Sequence, residues 1–231
     1  MAYTKVTFEE LKLLGANRLG NVAFYTEDEI GTYINEALRV WNLITWQWHG
    51  SVSIPTVASQ AFYDVSASVL KTMRVEFNGV PLDLTSLQSL DLGQPGWQGT
   101  AAGTPKRWFP VALTQIGIYP TDATGGNSLR VEGVLATPVL VADADYLNLG
   151  QWQVQALLDY VHHLAAFKQG GEEFKASLQT LKNFMVAAGV QNAKFAATAL
   201  YKRYMGMDLD ELFRPVYRKE TTGDNRSAAS Q

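Results

Sequence analysis

His162 and His163 are the side chains best suited by type to bind a metal or move a proton near neutral pH. They are adjacent, and neighbours on a helix point about 100° apart, so one ion is not readily held by both. Asp159 precedes them by three and four residues, within reach of an Asp–His contact along one helix face. A metal centre needs three or four ligands, and no further ligand completes the set at helical spacing, so the pair reads as structural. Asp143-Ala144-Asp145 has the Asp-x-Asp form of a divalent-cation site. It stands ahead of a helical stretch, where carboxylates complement the positive end of the helix dipole, so capping is its expected role.

Other chemistry is excluded more directly. There is no cysteine, hence no disulfide, thiolate nucleophile or Cys-ligated zinc. No Gly-x-x-x-x-Gly-Lys-[Ser/Thr] and no Gly-x-Ser-x-Gly occurs. Gly93, Gly96, Gly99 and Gly103 are spaced like a glycine loop, but neither a Lys-Ser/Thr pair nor a helical stripe follows. Lys106-Arg107-Trp108-Phe109 mixes the basic and aromatic residues that stack on single-stranded nucleic acid, with too few charges to grip it. Trp41, Trp46 and Trp48 read as a core cluster where a helix meets a sheet. No nucleophile–base or carboxylate pair stands at a recognisable spacing, so neither an enzyme nor a cofactor is expected.

The chain has 231 residues, 47% hydrophobic and 18% charged, with a formal net charge of −3. That is globular composition with enough length to bury a core. Residues 150–205 carry the largest basic excess, six basic against three acidic side chains, which suits a solvated helix face better than a nucleic-acid grip. No apolar run reaches the roughly 18–20 residues of a membrane span. Met1–Thr7 lacks the apolar core of a signal peptide.

The elements that must position these residues fall into three zones. Thr7-Phe8-Glu9-Glu10 is a capping box opening a short helix from about Phe8 to Arg18 that ends near Gly20. A second box at Thr26–Glu29 opens a longer helix whose stripe is Ile30, Ile34, Leu38, Trp41, Ile44 and Trp48. From about Ser51 to Asn148 the pattern turns to strands: Val52 and Ile54, Phe62–Val65, Met73–Phe77 with an Asn78-Gly79 hairpin turn, Leu113–Tyr119, and Ser128–Leu135. The connections look too short for parallel crossovers, which predicts an antiparallel sheet or small sandwich. Leu92–Pro105 reads as an exposed loop. Helical periodicity then returns over Gln151–Lys168, breaks at Gly170-Gly171, continues through Phe174, Leu178, Leu181, Met185 and Ala188, and resumes over about Val190–Met205. Amphipathic helices need partners. The expected class is therefore α+β: a helical bundle of N- and C-terminal helices with an inserted antiparallel β domain. The expected limits are 1–50 and 150–206 for the bundle, 51–149 for the β domain and 207–231 for an extended tail.

Gly103-Thr104-Pro105-Lys106-Arg107-Trp108, followed by Ile116-Gly117-Ile118-Tyr119-Pro120, resembles a pattern in the head-to-tail adaptor proteins of tailed bacteriophages. Leu129–Gly133, Thr137-Pro138-Val139-Leu140 and the stretch with Asp159-Tyr160 and His162 continue it. Ile54-Pro55-Thr56, Tyr63-Asp64-Val65 and Val75–Leu82 are similar to the family's opening strands. The order of these short motifs, over roughly residues 26–205, carries the resemblance. Tyr119-Pro120 is expected to end an edge strand, where proline removes a ladder donor.

The resemblance implies a structural virion protein of the neck, assembled in the host cytoplasm. It implies a ring, typically of twelve copies, beneath the portal protein, extending the channel through which double-stranded DNA passes without specific binding and offering a platform to the next tail or neck protein. Such proteins often dock on the portal through a C-terminal segment. Here that segment would present Leu209, Leu212, Phe213, Arg214, Val216, Tyr217 and Arg218. The alternative is a receptor- or carbohydrate-binding tail component, which would expose Trp97, Trp108 and Tyr119 on a β face.

Overall fold

The computed structural model describes residues 3–20 and 24–206. In chain order the elements are β1 (Tyr3–Thr7), α1 (Phe8–Leu19), α2 (Glu27–Thr45), β2 (His49–Pro55), β3 (Phe62–Asp64), β4 (Val69–Phe77), β5 (Val80–Pro81), β6 (Asp83–Leu84) and α3 (Leu87–Gly93). A single 3₁₀ turn at Trp97–Gly99 follows. Then come β7 (Arg107–Ala112), β8 (Gln115–Tyr119), β9 (Ser128–Leu135), β10 (Tyr146–Gly150), α4 (Gln151–Gln169), α5 (Gly171–Gln191), α6 (Ala193–Ala196) and α7 (Ala199–Gly206). The class is α+β.

Both predicted capping boxes form. The Thr7 and Thr26 hydroxyls accept from the amides of Glu10 and Glu29, whose carboxylates accept from the amides of the two threonines. Gly20 closes α1 in the left-handed conformation. Helix α2 stops earlier than its apolar stripe suggests. Trp46 takes a left-handed φ of 56° and ends it, so Trp48 lies beyond the helix while still packing on its core. Asn192 divides the predicted Val190–Met205 helix. Its Oδ1 accepts from the amides of Lys194 and Phe195, and its Nδ2 donates to the Ile44 carbonyl at 2.6 Å.

Helices α1, α2, α4 and α5 share one apolar cluster that includes Phe8, Leu11, Ile30, Ile34, Trp41, Leu157, Val161 and Phe184. Strand β10 contributes Leu147 and Leu149 to it and pairs antiparallel with β1, a contact between chain segments about 140 residues apart that local periodicity does not signal. A four-stranded sheet, β2-β9-β4-β5, and a second, β3-β8-β7-β6, enclose another cluster around Val75, Trp108, Ile118, Leu129 and Val131. The Asn78-Gly79 turn joins β4 to β5 as predicted.

Several expectations are corrected here. The second sheet is mixed, because β6 pairs parallel with β7. The intervening stretch, residues 85–106, holds α3 and the 3₁₀ turn and is long enough for the crossover. Strand β8 lies between β3 and β7, so Tyr119 does not end an edge strand. Residues 92–105 are mostly exposed, but Trp97 turns inward against Phe62, Phe109 and Tyr119 and donates from Nε1 to Asp91 at 2.8 Å. Leu113, expected in a strand, sits in the turn between β7 and β8 and is 95% exposed.

Candidate assembly surfaces

The residues singled out for chemistry are built into the scaffold. His162 and His163 lie on α4 facing α5, with Nδ1 atoms 3.4 Å from Thr180 Oγ1 and 2.9 Å from Ser177 Oγ. Burial lowers the pKa of both imidazoles. The Arg18 charge adds to the effect at His162, and Asp159 opposes it. Asp159 also pairs with Arg18, joining α1 to α4, and burial raises its pKa against the pull of that guanidinium. Among the described residues no three His, Asp or Glu side chains gather closely enough to hold a metal ion.

Asp143 and Asp145 act at a different helix from the expected one. Their carbonyls accept from the amides of Glu9 and Phe8, so they close the start of α1 rather than α4, which β10 precedes. The Asp145 carboxylate accepts from the amides of Val141 and Ala142, which lowers its pKa. Asp143 and Glu27 both pair with Lys12. Asp143 and Asp145 anchor residues 136–145, a connector running along α2. Asn42 Nδ2 donates to the Leu135 carbonyl at 2.7 Å. Asn35 binds Leu140 twice, donating to its carbonyl at 3.0 Å and accepting from its amide at 2.9 Å.

With Leu140 turned into the core, its neighbours Val139 and Val141 project outward and are 70% and 79% exposed. Leu43, Leu70, Pro138 and Val139 then line a groove of about 520 Å³ between α2 and the connector. Little in the sequence marks this apolar surface. The in–out alternation of Val139-Leu140-Val141 was its only local sign.

The β region presents a different surface. On the outer face of the first sheet, Arg74 is level with Glu132 and Glu76 with Arg130. Arg74 Nη2 lies 2.6 Å from Glu76 and Arg130 Nη2 lies 3.2 Å from Glu132, so the face is charged but locally neutral. Trp97, Trp108 and Tyr119, which the carbohydrate-binding alternative needs exposed, are all buried. Phe109 packs across Gly117, and Lys106-Arg107-Trp108-Phe109 therefore offers no stacking platform. At one end of the sheet Asp122 is a buried hub. Its carboxylate accepts from Thr56 Oγ1 (2.5 Å), Asn127 Nδ2 (2.8 Å), the amide and hydroxyl of Thr124 (3.1 and 3.2 Å) and the Gly125 amide (3.2 Å). Burial alone would raise its pKa; these donors outweigh burial and bring it down to about 2.

These are scaffold features and exposed surfaces. A family model described as SU10 adaptor protein matches residues 6–219. The chain belongs to that family. It is a structural adaptor of the bacteriophage virion, at the junction of head and tail. No curated protein matches the sequence. The adaptor match starts in β1 and passes the end of α7, so it takes in the apolar clusters of the helices and of the sheets. It also includes the positions assigned to portal binding: Leu209, Leu212, Phe213, Arg214, Val216, Tyr217 and Arg218 lie outside the described residues but inside the matched span. No described helix is long and apolar enough to cross a membrane.

Proposed function

We propose that the adaptor forms a closed ring of twelve copies beneath the portal protein, extends the DNA channel and receives the next tail or neck protein. The family match over residues 6–219 carries this reading. Its subunits associate head to tail, since a heterologous contact that closes on itself gives a ring. In this arrangement helices from residues 1–50 and 150–206 form a bundle, and residues 51–149 form the inserted β domain. Leu140, Leu147 and Leu149 pack in the same cluster as the helices. The paired charges on the outer sheet face support a conduit past which double-stranded DNA slides without being held. Residues 207–231 are the portal-docking arm, with Leu209, Leu212, Phe213, Val216 and Tyr217 as apolar contacts and Arg214 and Arg218 as basic ones. Assembly takes place in the host cytoplasm.

Native mass spectrometry of the adaptor mixed with its portal tests the reading. Twelve adaptor copies per portal ring are expected. A saturated complex holding one or two copies overturns it.

A further inference from the structure

The last turns of α2 and α5 meet where the described chain ends. Asn192, just after α5, donates to the Ile44 carbonyl, and Gln47 Nε2 donates to Gln191 Oε1, both at 2.6 Å. Tyr201 of α7 stacks edge-on with Phe195 and lies against Gly189. Helix α7 therefore begins near these two helix ends, and Gly206 closes it. Residues 207–231 leave from there.

The apolar groove opens at the same end of α2. Its helical wall runs from Leu43 through Arg39 and Glu36 to Thr32, about 16 Å at the helical rise of ~1.5 Å per residue. Leu70, Pro138 and Val139 form the facing wall. This face is opposite the side of α2 whose Ile34, Leu38 and Trp41 enter the helical core, so nothing bound in the groove is needed to build that core. The pocket beside Leu13 and Ile30 lies at the far end of α2.

We propose that this groove holds the chain's own residues 209–217 before any partner binds. Leu209, Leu212, Phe213 and Val216 supply the apolar contacts. Gly206 and Leu212 are close enough in sequence to span up to about 20 Å, which takes the segment round the end of α2 to Leu43. Charge sets its direction. Entering at Leu43, the segment meets Arg39 before Glu36. In its own order Asp210 and Glu211 come before Arg214. The acids thus pass Arg39 and Arg214 passes Glu36, two groove charges that otherwise pair with each other. The opposite course sets like charges together. A tethered segment also meets the groove at an effective concentration on the order of millimolar, an advantage that no second copy or separate protein shares. The contact belongs to the free chain, so it stands or falls apart from docking on the portal.

The sequence has no cysteine, so Val139→Cys places a single thiol in the groove wall. Its reaction rate with a neutral aromatic disulfide is measured in the full chain, with Leu212→Asp and Phe213→Asp added, and with residues 207–231 deleted. Leu113→Cys, in the exposed turn between β7 and β8, is the reference thiol. The position-139 thiol should react at least tenfold more slowly in the full chain than in either altered chain, at every protein concentration. The reference thiol should react alike in all three. Equal rates at position 139 overturn the proposal. So does protection that grows with protein concentration, which would put another copy's segment in the groove. Loss of the folded circular dichroism spectrum in both altered chains also overturns it, because the segment would then be building the core.

Discussion

Phe184 in the helical region and Asp122 in the β region are both almost wholly removed from water, and the chain surrounds them in opposite ways. Phe184 is held by shape. Its ring lies 5.5 Å from Trp41 and 4.6 Å from Tyr160, so residues from α2, α4 and α5 meet at one aromatic contact. Asp122 is held by hydrogen bonds that tie Thr56 to residues 124–127, so one carboxylate fixes where the loop before β9 meets the end of β2. The helical region tolerates loss of any single polar contact better than loss of volume. In the β region one polar knot, at Asp122, joins the residue after β2 to the loop before β9.

The sharpest way to break the helical side is Phe184→Ala. Emptying a fully buried aromatic site costs about 3–5 kcal/mol. Thermal melting followed at 222 nm should fall by roughly 6–20 °C; a loss of only about a degree or two would mean the contact with Trp41 and Tyr160 contributes little. On the β side, Asp122→Ala leaves several buried donors without an acceptor and should cost about 2–3 kcal/mol. Acid provides a second measurement. The folded carboxyl titrates at about 2 against an ordinary 3.8, so the folded chain binds this proton less readily than the unfolded chain. The stability it contributes is complete above about pH 4 and is lost as pH falls from about 4 to 2. Asp122→Asn should flatten that part of the stability–pH curve, and an unchanged acid limb would rule out the hub as its source.

A milder test separates the regions by pH. Burial holds His162 and His163 below the ordinary histidine value of 6.5. A depressed pKa means that the unfolded chain takes up the proton first, so stability is present above about pH 6.5 and declines as pH falls through the folded values. Denaturant titrations at pH 7.5 and pH 5 should show this loss, and His162→Gln with His163→Gln should reduce it. If the double variant keeps the full pH dependence, the α4–α5 contact is not its origin.

The same contrast explains what was legible in the sequence. Helix starts at Thr7 and Thr26 were readable because a capping box is local, and the stripe of α2 because its core is continuous. The Asn78-Gly79 hairpin was readable because two residues determine the turn. The pairing of β1 with β10, the Asn35–Leu140 clasp and the convergence on Asp122 join residues dozens to well over a hundred positions apart, and no local pattern announces them. Phe184 was missed because it falls one position outside the stripe read from Phe174 to Ala188, on the flank where α5 meets both α2 and α4. The histidines and Asp143 were noticed for their chemistry, and their surroundings give them structural work: they join helices or anchor the connector.

The smallest effect on stability is expected from deleting residues 207–231. Among the described residues the helical cluster is already closed by its own last helices, with Phe184 and Ala188 buried in it and Phe195 packed against it. The deleted stretch carries Leu209, Leu212, Phe213, Val216 and Tyr217 beside Arg214 and Arg218. An apolar and basic arm of this kind can bind by ordering on a partner, at an entropic cost met by the contacts it gains there. The truncated adaptor should melt within a few degrees of the full chain yet lose its binding to the portal, measured by co-sedimentation. If truncation unfolds the helices, the arm completes their core. If binding to the portal survives, docking belongs elsewhere, and the apolar groove along α2 lined by Leu43, Leu70 and Val139 becomes the surface to alter next.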